Sequence, residues 1–590
     1  MIGRGTADRR GRTYAALLSV LLVAGCAGLP TDTAVKPGLG VNRATPPAVG
    51  LEYFPDGPDR GASPEGIIRG FIRAGAASDG DYQVARRFLT AGPARTWTPD
   101  GDILVFRGDT PMTVTPAGPN AWTVQSGTVG RITPAGQYVP APEPSWARVT
   151  FGLTKVGTEW RISSLPSGFG RWVEAGDVAR LFRVLSVYYP SVADGSMVPD
   201  PRWFPADHLA ARLAQAQIGP VPDYLKGAVS TGFPPDVRLR VGAVPVANDV
   251  ATVDLAATFP NDVSTRRTMW AQLATSLTQI TDVAAVTVEG DGSVLDYPGR
   301  PAVALSPGDL GVDSQPATDG LPVMRVGSTL VQVDPTQVTG SPADPSRRRR
   351  VTLPAVDPQW RWLAVSRDST EVAAVDARDA VVARFRGGTH ASVPTTATSP
   401  SRPAYDNRGF LWFGGIDGPA DRLFAVDASQ PPDRAAPAEP VLAPWLRERY
   451  VVAARLAGDG QRIAVVSTDA RGVARLDVAG VVRSRSGRPT SLAAPKTLGA
   501  TISGIRDVTW LDSTTLAVLG RDAAKTLRPF TVGIDGAVEA LAPVDGAAAI
   551  ATSGDEQTIV VTTTGDLLWV RAGTGWLRFR TATDFALPAG

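Results

Sequence analysis

The chain has 590 residues, 43% of them hydrophobic, with 59 basic against 57 acidic side chains and a net charge of +2. That length points to three or four domains, and the near balance of charge leaves no field strong enough to hold nucleic acid by bulk electrostatics. One cysteine (Cys26) and two histidines (His208 and His390) exclude a disulfide and a Cys/His zinc centre, so no metal and no cofactor is expected.

At the N-terminus Arg4, Arg9, Arg10 and Arg12 precede an apolar stretch from Tyr14 to Val23, which is too short to span a bilayer. Val23-Ala24-Gly25-Cys26 follows and resembles a bacterial lipobox. This pattern predicts a lipoprotein signal peptide over 1–25 and a mature chain starting at Cys26. The resemblance implies that Cys26 carries N-palmitoyl and S-diacylglycerol groups and anchors the chain to the extracytoplasmic face of the cell membrane. The alternatives are a secreted protein with an incidental thiol, or an uncleaved anchor. Residues 26–60 hold Pro30, Pro37, Pro46, Pro47, Pro55 and Pro58 among glycines and small polar residues, without a period, and read as a flexible tether.

Order begins at Ser63-Pro64-Glu65, where serine can cap a helix and proline suits its first turn, and Ile67, Ile68, Phe71 and Ile72 share a face. A second helix carries Ala85, Phe88 and Leu89 behind Asp81. From Ile103 the period changes to two, with strands expected at Ile103–Phe106, Trp122–Val129, Trp146–Leu153 and Glu159–Ser163 in an antiparallel sheet. Residues 61–180 therefore read as an α+β domain that resembles the NTF2-like class.

Over 181–300 the chain offers strands at Val184–Tyr189 and Met197–Pro199, a helix with His208, Leu209 and Leu213, and the turn Gly219-Pro220. Strands at Leu239–Val241 and Val250–Leu255 follow, then a helix led by Ser264 with Met269, Leu273, Leu277 and Ile280 at helical spacing, and a strand at Val283–Val288. This order, with the Pro199 strand end and Trp270-Ala271-Gln272-Leu273-Ala274, is similar to the GerMN domain of sporulation and germination proteins. That family brings no catalytic residues with it.

From 320 to 586 the texture is short strands punctuated by aspartate turns. Those at Asp368, Asp406, Asp459, Asp512 and Asp555 recur at roughly 40 to 55 residues, the scale of one propeller blade. About five to seven blades fit, with Leu321–Val333 as a first strand pair. The fold class is thus multidomain: two α+β domains, NTF2-like and GerMN-like, followed by an all-β propeller. The recurring aspartates read as turn residues rather than acid catalysts. No G-x-S-x-G elbow, Walker loop or dinucleotide fingerprint is present, His390 sits in an expected loop, and the run Arg347-Arg348-Arg349-Arg350 reads as a solvated loop or a contact for an acidic partner or anionic envelope polymer.

Taken in order, lipobox, α+β module, GerMN module and propeller resemble the actinobacterial lipoprotein LpqB family. The resemblance implies a non-enzymatic protein that contacts the extracellular domain of an MtrB-like sensor histidine kinase, modulates signalling to MtrA, and affects cell envelope homeostasis and division. Two other readings stay open: a scaffold that binds peptidoglycan or wall polymer, and a propeller-based enzyme acting on glycans.

Overall fold

The computed structural model describes residues 55–589 apart from 78, 260–261, 298–303, 313–319, 335–337, 339–350, 377, 379 and 554–557. The expected signal peptide, Cys26, most of the expected tether, the run Arg347–Arg350 and Asp555 lie outside the described residues.

Ser63 caps the first helix, Pro64–Ala74, as its position before proline predicts, its hydroxyl accepting from the Gly66 N–H at 3.1 Å. Ile67, Ile68, Phe71 and Ile72 are buried along one face. The second helix runs Asp79–Arg86 and stops before Phe88 and Leu89, which nevertheless bury their side chains in the same core. Against these helices lies a sheet in the order Glu159–Ser164, Trp146–Val156, Ala121–Ile132, Asp102–Phe106 and Phe169–Glu174. Four of these strands follow the alternation read from the sequence. The fifth, Phe169–Glu174, was not foreseen, and it pairs parallel with Asp102–Phe106 in a sheet expected to be antiparallel. Its burial is nearly continuous, so the alternation that marks a half-exposed strand is missing.

The next domain opens with a hairpin of Phe182–Pro190 and Met197–Pro205. Its second strand continues through Pro199 to Pro205, past the strand end expected at Pro199. Two helices cover the hairpin, Leu209–Gln217 and Val263–Leu277. The latter is capped by Asp262, whose carboxylate accepts from Thr265 N at 2.7 Å, two residues before the expected Ser264. It forms the crossover between the parallel strands Val250–Ala256 and Ala285–Gly290. The edge of the hairpin is satisfied by side chains instead of a further strand. Gln217 Oε1 accepts from Tyr188 N at 3.1 Å, Gln272 Nε2 donates to Tyr188 O at 3.1 Å, and Gln279 bonds both backbone groups of Ser186. A buried amide that meets its full bonding capacity costs little, and it fixes which helix faces the hairpin.

Among the described residues the remainder forms six sheets. The first joins Val323–Val326 to Thr329–Gln332 on one side and to the C-terminal strand Asp584–Ala586 on the other. The second to sixth blades span residues 360–392, 404–440, 449–498, 503–540 and 547–581. Their innermost strands touch in cyclic order, and Asp584–Ala586 lies between the sixth and the second, so the ring is closed by pairing its last strand with its first. Closure leaves no blade with an uncovered inner face. Four of the repeating aspartates make the tight turns expected of them: Asp368 accepts from Thr370 N, Asp406 from Arg408 N and Phe410 N, Asp459 from Gln461 N, and Asp512 from Thr514 N, all between 2.7 and 3.1 Å. His390, expected in a loop, sits on the outer strand Thr389–Ser392 with its ring stacked on Phe385 at 5.3 Å.

Candidate functional site

The described residues form one compact unit, and the reason lies at a joint where three domains meet. Its axle is the strand Met197–Pro205. Pro199 O accepts from Arg462 Nη1 of the fourth blade at 3.0 Å, and the same guanidinium donates to Asp459 at 2.7 Å and to Ser513 O at 2.6 Å while lying 5.0 Å from the Trp510 ring. Arg462 is fully buried and fully engaged. One residue on, Asp200 accepts from Arg202 Nε at 2.7 Å and Tyr224 hydroxyl at 2.8 Å, with Lys496 of the fourth blade at 3.7 Å. Burial by itself would raise the Asp200 carboxyl; Lys496 and Arg202 hold it below its ordinary value. Lys496 is less well compensated, and burial brings its ammonium down to about 8.

The first domain reaches the same place. Trp203 N donates to Gly136 O at 2.8 Å, the Trp203 and Tyr138 rings lie 5.9 Å apart, and Tyr138 N donates to Asp535 O of the fifth blade at 2.8 Å. Gly536 has φ of +99°, and a Cβ there would run into Tyr138 O, so this approach requires glycine twice over. Apolar contact completes the joint. Tyr224, Leu225 and Ala228 share one continuous core with Leu476 and Val478 of the fourth blade, and Gly480 makes room for them, since a Cβ at that position would lie 2.8 Å from that of Ala228.

A second polar constellation crosses the propeller channel. Arg402, on the approach to the third blade, pairs with Asp507 of the fifth and donates to Ala548 O of the sixth at 3.2 Å. Arg455 of the fourth blade approaches the same carboxylate at 3.6 Å, and the Arg402 guanidinium lies 5.6 Å from the ring of Trp362, a half-exposed residue held at φ of +59° in a bulge of the second blade. Asp584, raised by burial, pairs with Arg325. Each of these channel carboxylates thus already faces an arginine. The paired acids that glycoside hydrolysis uses, one free to protonate and one free to attack or activate water, are not what Asp507 and Asp584 provide.

The residues singled out by sequence fall in different places. Cys26 is outside the described residues; His208 holds a left-handed backbone (φ 50°) at the start of the Leu209–Gln217 helix without capping it, and His390 is on a blade surface. The joint was missed, because Pro199 and Arg462 are 263 positions apart and no local pattern connects them. Lys496 was visible only as one of very few lysines. Among the described residues no group of His, Cys, Asp and Glu could hold a metal ion, and no helix is long and apolar enough to cross a membrane.

An α+β domain, a GerMN-like domain and a six-bladed ring, locked together at one strand, define a multidomain β-propeller protein. Three family models match in that order: the N-terminal domain of lipoprotein LpqB over residues 57–179, the sporulation and spore germination domain over 186–296, and the LpqB β-propeller domain over 347–589. The chain belongs to the LpqB lipoprotein family. Lipoprotein LpqB of Thermobifida fusca is 26% identical across 94% of each chain, and that of Mycobacterium tuberculosis is 25% identical across 85% of each. The Bifidobacterium longum relative is 32% identical over 34% of this chain and 36% of its own length. Among solved structures, TolB from Acinetobacter baumannii is 13% identical, with a TM-score of 0.33 over 60% of this chain and 99% of that one, too low to bear on the fold.

Proposed function

We propose that the protein is a lipid-anchored, extracytoplasmic and non-enzymatic modulator of an MtrB-like sensor kinase, acting through protein contacts and so influencing cell envelope homeostasis and division. In this reading residues 1–25 are the export signal, Cys26 carries the acyl chains, and 26–60 are a tether beyond which the folded body stands clear of the lipid headgroups. Roughly three dozen residues drawn out at about 3.3 Å each reach on the order of 100 Å. The acyl anchor confines the body to two dimensions beside its partner and raises effective concentration, so a modest interface is occupied.

The observation that carries the reading is the joint. A body that binds to shift another protein's equilibrium must present its surfaces in fixed relation, and Arg462, Asp200 and the Gly536 approach hold three domains as one unit before any partner arrives. Prior ordering lowers the entropic cost of association. To regulate, the body must also bind one signalling state of the kinase more tightly than the other. Phosphorylation of MtrA, measured in cells with the intact protein, without it, and with Cys26→Ala, tests this. The expected result is a change in MtrA phosphorylation on deletion that the Cys26→Ala form restores poorly. Identical phosphorylation in all three strains removes the proposal.

A further inference from the structure

One end of the fourth blade gathers Arg447, Arg449, Arg471 and Arg475 against Glu448, Asp469 and Asp477, beside exposed apolar surface. Arg449 begins the inner strand Arg449–Leu456, and its guanidinium donates to Ser467 Oγ at 2.7 Å and to Val473 O at 2.9 Å. Arg475, opposite Ser467 on the third strand of the blade, Ala474–Arg483, donates to Asp477 at 2.6 Å and lies 6.0 Å from the ring of Trp445. That ring is fixed by its own N–H bond to Ala493 O at 3.1 Å. The two guanidiniums are close enough to oppose each other: burial, then Arg475, lowers Arg449, with Asp477 and Asp469 acting the other way. Neither carboxylate is fully available to them. Asp477 also accepts from Thr497 at 2.7 Å, and Asp469 takes the turn N–H groups of Arg471 and Val473 at 2.9 Å each. The Arg475 side chain is 32% exposed, and its Nη2, which is buried, finds no partner among the described residues. Val473 is 59% exposed, and Arg447 and Arg471 are exposed at the rim.

Crowded like charges, an aromatic ring held in place and an open valine combine the features of a protein-binding hot spot with those of an anion site. We propose that this blade end docks an extended acidic segment of a partner protein. A partner carboxylate lies against Arg449 and Arg475, an apolar side chain meets Trp445 and Val473, and Arg447 and Arg471 steer the approach. The inference rests on the reading that this protein works by touching another protein, and it names where.

The test uses the full-length protein in detergent and a fluorescent peptide of alternating glutamate and phenylalanine, with a glutamine–phenylalanine peptide as control. Anisotropy is expected to show the glutamate peptide binding about tenfold tighter than the control, with affinity falling as salt rises. Arg449→Ser with Arg475→Ser should abolish the difference. Because that pair also supports the hairpin, the exposed pair Arg447→Glu and Arg471→Glu provides the second reading, with an expected loss of about tenfold. Equal binding of both peptides, or no change in the Glu-substituted protein, overturns the proposal. So does tight binding of inorganic polyphosphate through these arginines with no binding of the glutamate peptide. Peptide binding that persists while MtrA phosphorylation is indifferent to the protein supports the site and removes only the kinase reading.

Discussion

In the second blade Glu371 receives Arg384 through both oxygens at 2.6 and 2.9 Å, Arg386 at 2.8 Å and the Tyr405 hydroxyl at 2.6 Å. In the joint, Asp200 meets Lys496 at 3.7 Å, with a tyrosine ring 4.8 Å from the ammonium. Both places bury a cation against a carboxylate. The blade uses only planar forks, which match the carboxylate and do not lose their proton, whereas the joint adds to Arg202 a point charge, Lys496, that yields its proton readily when dehydrated. The blade pair therefore keeps its charge, while in the joint the Lys496 contact responds to pH beside the permanently charged Arg202 and Arg462 that hold the domains together.

The largest expected effect breaks the blade side of this contrast. Glu371→Ala strands Arg384 in the interior and takes the carboxylate from partly exposed Arg386, and should cost about 3–5 kcal/mol in denaturant unfolding of the propeller. On the joint side the prediction concerns pH. Lys496 titrates near 8 in the folded chain against 10.5 in the unfolded chain, so the unfolded chain binds more protons between those values, and stability should rise with pH across that window. The gain is about 3 kcal/mol, and Lys496→Met should flatten it. An equal slope in the Met variant assigns the titration to another group. Gly536→Ala should cost roughly 1–2 kcal/mol and speed hydrogen exchange at Tyr138, since its Cβ displaces the Tyr138 backbone. Ser63→Ala touches neither region, and should cost about 1 kcal/mol, confined to the first helix.

How far the sequence could be read follows from the range of each interaction. Ser63-Pro64, the alternation over Trp146–Val156 and the blade turns at Asp368 or Asp459 are local, so spacing alone announces them. Phe169–Glu174 is buried on both faces, so no alternation marks it, and its parallel partner lies far back in the chain. The joint depends on pairs such as Asp200 with Lys496 and Tyr138 with Asp535, which only the folded chain brings together. Arg449 and Arg475 stand in the sequence as ordinary strand residues. Their crowding is set by the turn at Asp469 and by the fixed ring of Trp445.

The seal between Asp584–Ala586 and Val323–Val326 also sets a schedule. The first blade lacks its inner strand until Asp584–Ala586, 259 positions after Arg325, has been synthesised. Until then the propeller is an open fan with two raw borders, exposed to mispairing and to proteases. Deleting the three residues Asp584–Ala586 should therefore harm the protein far more than their number suggests, because it recreates that unfinished state permanently.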